Sequence, residues 1–177
     1  MLHGWKGSPS PHWQAWLWDE LEKVNVKVSF PKLSNNELPD KAVWINEALK
    51  AYTECEPDIV ITHSLGCTLW FHMCNEKLVK SVKHLLLVAP PRDLSEYKEI
   101  ASFFPITTPK DLYAQEKLLI TSTNDPYLSE EEAKKLEEDL GLNSWDHKPL
   151  IDAGHVNSES GYGEWTWVLE WVKSRYV

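Results

Sequence analysis

From Asp58 to Glu76 the chain passes from a short apolar run straight into a helix-like run, through Val60-Ile61-Thr62-His63-Ser64-Leu65-Gly66. A joint of this kind is a sharp strand-to-helix turn. It lifts a serine hydroxyl to the top of an α/β sheet and aims backbone N–H groups across it. The serine alone proves little, so its weight depends on what the rest of the chain builds around that turn.

The flanking patterns alternate. Gly7 to Pro11 reads as a turn, and Trp13, Trp16, Leu17 and Leu21 then recur at helical spacing. Val24 to Phe30 alternates apolar and polar positions and is a strand candidate, followed by a loop from Pro31 to Pro39. Asp40 caps a second predicted helix with Val43, Trp44, Ala48 and Tyr52 as its inner stripe. Asp58 to Thr62 is the strand before the serine, and Leu65 to Glu76 the helix behind it. His84 to Ala89 is apolar with almost no alternation, as expected of a parallel strand covered on both faces. Lys117 to Ser122 reads as a strand, Glu130 to Leu140 as a charged surface helix, Trp145 to Ile151 as the last strand and Glu164 to Tyr176 as a closing helix. Strands alternating with helices imply an α/β fold, a three-layer α/β/α sandwich around a mostly parallel sheet with its site at the carboxyl ends of the strands. With no repeat or linker in sight, residues 1–177 are expected to form one domain.

Composition narrows the function. A net charge of −9 leaves no basic patch for nucleic acid and disfavours a strongly anionic substrate. No apolar run approaches the ~18 residues of a membrane span, and the first residues lack the basic and apolar regions of a signal peptide. Three cysteines, Cys55, Cys67 and Cys74, cannot all pair with one another, and no Asn-x-Ser/Thr acceptor occurs, so a reducing, cytoplasmic setting is expected. Without a Cys-x-x-Cys or a matching histidine pair, Cys67 and Cys74 read as core. Glycine-rich nucleotide loops and zinc spacings are absent, so neither cofactor nor metal is implied.

Two later segments give the serine partners. Thr123-Asn124-Asp125-Pro126 follows the run Leu118 to Thr121, and Asp152-Ala153-Gly154-His155 follows the last predicted strand. Nucleophile, acid and base thus occur in the order Ser, Asp, His, each just past a strand, which is the α/β-hydrolase order. A serine hydroxyl is a weak nucleophile at neutral pH and needs a base, itself held in one tautomer by an acid. Ser64, His155 and Asp125 fill these roles. Asp93, which also follows a strand, is the rival acid. His63, beside the serine, should face away from it as a packed or hydrogen-bonded ring.

These residues carry a resemblance that spans nearly the whole chain. His3-Gly4-Trp5-x-Gly7-Ser8-Pro9, His12-Trp13-Gln14-x-x-Leu17, His63-Ser64-Leu65-Gly66-Cys67, Asn124-Asp125-Pro126-Tyr127 and the run Gly154 to Gly163 resemble small serine hydrolases of the retinoblastoma-binding-protein-9 type. The resemblance implies a compact α/β-hydrolase fold with the same Ser64, Asp125 and His155. Three departures stand out. Thr62 occupies the place of the elbow's usual first glycine. The Leu-x-Cys-x-Glu motif for pocket-protein binding is missing at Thr53-Glu54-Cys55-Glu56-Pro57, so no such partner is carried over. Only Met1 and Leu2 precede His3-Gly4-Trp5 where members have a longer apolar strand, so the first strand is expected to be shortened.

The oxyanion of a tetrahedral intermediate needs two N–H donors, and those of Leu65 and Trp5 are the candidates, Gly4 letting the backbone come close. Trp5 and Trp13 are candidate walls of the acyl pocket, Asn157 a candidate substrate contact, and Trp16, Trp44, Trp167 and Trp171 candidate core. The expected activity is cleavage of small carboxylic esters through an acyl-enzyme, in a shallow site favouring short acyl groups. A catalytically inert binding module and an amidase or thioesterase remain as alternatives.

Overall fold

The computed structural model describes residues 1–176. The elements are α1 (Trp13–Lys23), α2 (Lys41–Cys55), β1 (Ile59–His63), α3 (Leu65–Asn75), β2 (Val82–Val88), β3 (Ala114–Ser122), α4 (Glu130–Asp139), β4 (His147–Leu150) and α5 (Thr166–Lys173). The strands form one parallel sheet in the order β1-β2-β3-β4, with Thr62 opposite Leu87 and Leu86 opposite Leu118. The unalternating apolar run of β2 is explained by its two faces. Leu85 and Leu87 pack with Trp44, Ala48, Leu69, Trp70 and Met73 of α2 and α3, whereas Leu86 and Val88 pack with Trp13, Leu17, Val168 and Trp171 of α1 and α5. Two helical layers therefore enclose the sheet, and α3 is buried along its length from Leu65 to Cys74. No helix among the described residues is long and apolar enough to cross a membrane.

Several expectations are corrected. Val24 to Phe30 forms no strand, although the alternation is there. A strand needs a ladder, and the adjoining segment contributes a single bridge, Leu2 opposite Thr62, with Leu2 N–H donating to the Ile61 carbonyl at 2.9 Å and His63 N–H to the Leu2 carbonyl at 3.1 Å. Where a first strand is expected, the described residues form one residue pair. Val43, whose N–H the Asp40 cap accepts at 3.0 Å, is exposed in the first turn of α2, and the inner stripe is Trp44, Ile45 and Ala48 with Tyr52 half-buried. At the last strand, Trp145 lies on a 3-10 turn from Ser144 to Asp146 and Ile151 lies beyond the strand, each 78% exposed. The closing helix starts at Thr166 rather than Glu164, and β3 begins at Ala114, three residues ahead of Lys117. Trp44 and Trp171 are core as expected, while Trp16 and Trp167 are only partly buried.

Candidate active site

Ser64 follows β1 immediately and sits at φ 52°, ψ −125°, a left-handed conformation that a non-glycine residue adopts at a cost of about 1–3 kcal/mol. Its N–H donates to the Val88 carbonyl at 2.9 Å, which locks the turn to β2. Two glycines make the turn possible. A Cβ on Gly66 would stand 2.7 Å from the Leu2 carbonyl oxygen and 2.8 Å from that of His3, and one on Gly4 would stand 2.8 Å from the Ser64 Cβ. The His3-Gly4 segment therefore rests directly on the serine turn. Thr62 fits the place of the missing glycine because its hydroxyl turns inward, 3.0 Å from Cys67 Sγ and within 3.4 Å of the Leu86 carbonyl. Burial pushes the Cys67 and Cys74 thiols up to about 12, which suits inert core residues.

Asp125 lies three residues past β3 and His155 five past β4, and the structure brings both to Ser64. His155 Nδ1 is 2.9 and 3.0 Å from the two Asp125 carboxylate oxygens, and Nε2 is 2.8 Å from Ser64 Oγ. Since the carboxylate only accepts, Nδ1 carries the proton and Nε2 is left to accept from the serine hydroxyl. The Asp125 side chain is 1% exposed and also accepts the Tyr127 N–H at 2.9 Å, while the Tyr127 ring stands edge-on to His155 at 4.7 Å. Asp93 is exposed and spends its carboxylate on the Ser95 N–H, so it does not reach His155.

Sequence reading missed the side chains that join the acid loop to the histidine loop. Asn124 Oδ1 accepts the Gly154 N–H at 2.7 Å, Ser122 Oγ accepts the Ala153 N–H at 3.0 Å, and Thr123 Oγ1 accepts the Asp152 N–H at 3.0 Å. The only signal was the run Ser-Thr-Asn-Asp itself, rich in residues that bond backbone groups. Gln14 was missed as well. It is fully buried, takes the Ser8 hydroxyl at 2.8 Å and donates to the Leu2 carbonyl at 3.0 Å, anchoring the segment that leads to Gly4.

The Gly4 carbonyl accepts from His3 Nδ1 at 2.8 Å and from the Gly7 N–H at 3.1 Å. The Gly4–Trp5 peptide is trans and planar, so anchoring its carbonyl turns the Trp5 N–H to the opposite side. Neither the Trp5 nor the Leu65 N–H makes a backbone hydrogen bond among the described residues, as expected of donors kept for a ligand. His3 is held neutral: Leu33 N–H donates into its Nε2 at 3.1 Å, and burial lowers its pKa. His12 caps α1 by accepting the Gln14 N–H at 3.1 Å, and burial, with His155 and His3 nearby, lowers its pKa to about 4.

Around Ser64 opens a cleft of about 400 Å³, walled by Trp5, Leu65, Leu94, Ile100, Tyr127 and Asn157. Trp5 is held at the rim by its indole N–H on the Glu37 carbonyl, 3.0 Å away, and by edge-on contact with Tyr97. Trp13, expected as a wall, is fully buried behind the site and faces no part of the cleft. Asn157 does line the cleft, but its side-chain Oδ1 caps the turn Ser158–Ser160, accepting from the Ser160 N–H and hydroxyl at 3.1 and 2.9 Å.

The profile of the serine hydrolase family matches residues 1–174, and the chain belongs to that family. No curated protein matches the sequence. Among solved structures, the ydeN gene product of B. subtilis superposes with a TM-score of 0.82 at 20% identity, over 98% of this chain and 95% of that one. A ydeN-like hydrolase from Pectobacterium atrosepticum gives 0.73 at 21% identity over 98% and 87%. The Pyrococcus furiosus esterase Pf2001 gives 0.60 at 18% identity over 98% and 79%. The fold is that of the α/β hydrolases.

Proposed function

We propose that this hydrolase cleaves small carboxylic esters, without cofactor or metal, through an acyl-enzyme on Ser64. The observation that carries the reading is the hydrogen-bonded chain from Ser64 Oγ through His155 to Asp125, with its two contacts of 2.8 and 2.9 Å, on the floor of the cleft. In the proposed reaction His155 Nε2 takes the serine proton as Oγ bonds to the ester carbonyl carbon. The resulting oxyanion accepts from the Trp5 and Leu65 N–H groups, each such donor being worth about 3–4 kcal/mol in other acyl-transfer enzymes. His155 then passes its proton to the departing alkoxide, and the alcohol leaves. A water, deprotonated by the same nitrogen, attacks the acyl-serine and releases the acid. Asp125 stabilises the imidazolium and fixes its tautomer without itself taking a proton.

Apolar walls at Leu94, Ile100 and Trp5 support short acyl groups, and the shared fold of the Pyrococcus furiosus esterase supports the ester class. Three free cysteines, two of them buried, support a cytoplasmic location. The test is labelling with a fluorophosphonate probe alongside p-nitrophenyl esters of rising chain length. Labelling confined to Ser64, with rates falling as the acyl chain lengthens, is the expected result. Absence of labelling would favour an inert module of the same fold, and faster turnover of matched amides or thioesters would move the substrate class.

A further inference from the structure

Behind the candidate base, two consecutive carbonyls of the histidine loop are each gripped by a buried ring. His63 Nε2 lies 3.0 Å from the His155 carbonyl oxygen, and Trp13 Nε1 lies 2.8 Å from the Val156 carbonyl oxygen. Because a carbonyl can only accept, both ring nitrogens are donors, which fixes the His63 proton on Nε2. The two rings meet edge-on at 5.8 Å, and Trp165 braces Trp13 edge-on from 5.2 Å. Exposure is 0% for Trp13 and 4% for His63.

The loop they grip is one that would not hold its shape by itself. Val156 sits at φ 49°, a left-handed conformation that is unfavourable for a β-branched residue, and Asp152 and Gly154 are left-handed at 51° and 54°. Such geometry persists only where the surroundings over-determine it. The Val156 N–H is used locally on the Ala153 carbonyl at 3.1 Å, so the outward-facing carbonyls of residues 155 and 156 are the handles that remain. His63 is also the residue just before Ser64. Nucleophile and base are therefore tied twice, once between side chains at 2.8 Å and once from the elbow strand to the backbone of the base.

We infer that Trp13 and His63 are positioning residues: together they set the backbone of His155 so that its Nε2 meets Ser64 and its Nδ1 meets Asp125. The inference rests on the serine-hydrolase reading above. Near-attack geometry is steep in distance, a displacement of about 1 Å costing up to about 10²-fold in rate. Loss of either donor should therefore act on the chemical step and leave binding alone.

The experiment compares Trp13→Phe, His63→Phe and His63→Gln on a short-chain p-nitrophenyl ester. Trp13→Phe keeps the aromatic contacts and deletes one N–H, and His63→Gln restores an amide donor at similar reach. The expected result is kcat lower by about 10-fold in Trp13→Phe and 10- to 100-fold in His63→Phe, KM within twofold, and partial recovery of kcat in His63→Gln. The downfield His155 Nδ1 proton in the NMR spectrum should broaden or shift in both donor-free variants. If His63→Phe does not fold, Trp13→Phe alone decides. A folded Trp13→Phe with kcat within twofold of the parent and an unmoved His155 proton would overturn the inference. Failure of the parent reading looks different: Ser64→Ala would then keep the activity.

Discussion

The carboxyl end of the sheet and the outer edge of β1 are built to opposite standards. At the carboxyl end, strand exits are cross-linked by side chain to backbone bonds: Ser122, Thr123 and Asn124 hold Ala153, Asp152 and Gly154, and His3 holds Gly4. At the outer edge, Leu2 alone among the described residues pairs with β1, and beyond it an apolar groove of about 260 Å³ separates Ile59 from Val26 and Val28. Hydrolysis needs its groups placed to fractions of an ångström, whereas an edge need only keep helices apart. Substitutions at the first region should cost rate far out of proportion to stability, and changes at the second the reverse.

The largest effects test the first half of that contrast. Ser64→Ala and His155→Ala should each lower kcat by roughly 10⁴- to 10⁶-fold, since the members of a triad act as a unit, while thermal unfolding shows an intact fold. Parent-like esterase activity in Ser64→Ala would end the mechanism. Next comes the acid. Asp125→Asn should lower kcat by about 10⁴-fold because the amide donates where the carboxylate accepted, leaving His155 in the wrong tautomer. Asp93→Asn, which disturbs only a turn at Ser95, should stay within twofold. The opposite ranking would move the site.

Stability against pH offers a third test, because His3, His12 and His63 are packed neutral around the site, all with lowered pKa from burial first. The unfolded chain protonates them near pH 6.5, so below that it binds more protons than the fold, and stability falls with pH. For His12 the loss runs from about pH 6.5 to about pH 4 and amounts to something on the order of 3 kcal/mol. His12→Asn, which keeps a helix cap, should flatten that slope in urea titrations across the window. An unchanged slope would mean that His12 is solvated.

Gly66→Ala links the two regions. The added methyl meets the Leu2 and His3 carbonyl oxygens, both backbone, so the segment carrying Gly4 must move. A destabilisation of about 1–3 kcal/mol is expected, with kcat falling by about tenfold or more as the Trp5 N–H shifts. If stability drops without any loss of kcat, Trp5 is not an oxyanion donor.

The same contrast explains what could be read from the chain. The meeting of the Ser64, Asp125 and His155 side chains was legible because a strand-to-helix turn is local and Asp125 and His155 each follow a strand within a few residues. Val24 to Phe30 was misread since alternation states only which faces a strand would have, and the pairing it needs is non-local. Trp145 and Ile151 extended a periodic run past the ladder that β3 supplies, which ends at Leu150 opposite Ser122. Trp13 carried the right spacing for the right helix, but sequence gives no way to tell a ring that walls a cleft from one that grips the loop behind it. Ser122 read as the end of a strand and Thr123 and Asn124 as the approach to the acid, because the backbone groups they hold lie about thirty residues away, as in the Gly154 bond to Asn124.

The smallest effect belongs to the edge. His84 N–H donates to the Asp58 carbonyl and Ser64 N–H to that of Val88, so the even-numbered residues of this stretch serve β2, and the odd-numbered Ile59, Ile61 and His63 face outward. Leu2 satisfies the Ile61 carbonyl and the His63 N–H, which leaves the Ile61 N–H and the Ile59 carbonyl without a backbone partner among the described residues. In the parallel register of Leu2 on Thr62, a residue joined ahead of Met1 stands opposite Val60 and can meet both groups. Four β-branched residues added there should therefore gain two ladder bonds, at about 1 kcal/mol each, and raise Tm by roughly 4–8 °C for a chain of this length. The rate should rise with it, by less than tenfold, because the strand steadies His3 and Gly4 on the serine turn. The same extension with a proline opposite Val60 removes the donor and should lose most of the gain. Equal melting temperatures for all three proteins would show that the edge is already satisfied as it stands, and that the two regions differ less than their bonding suggests.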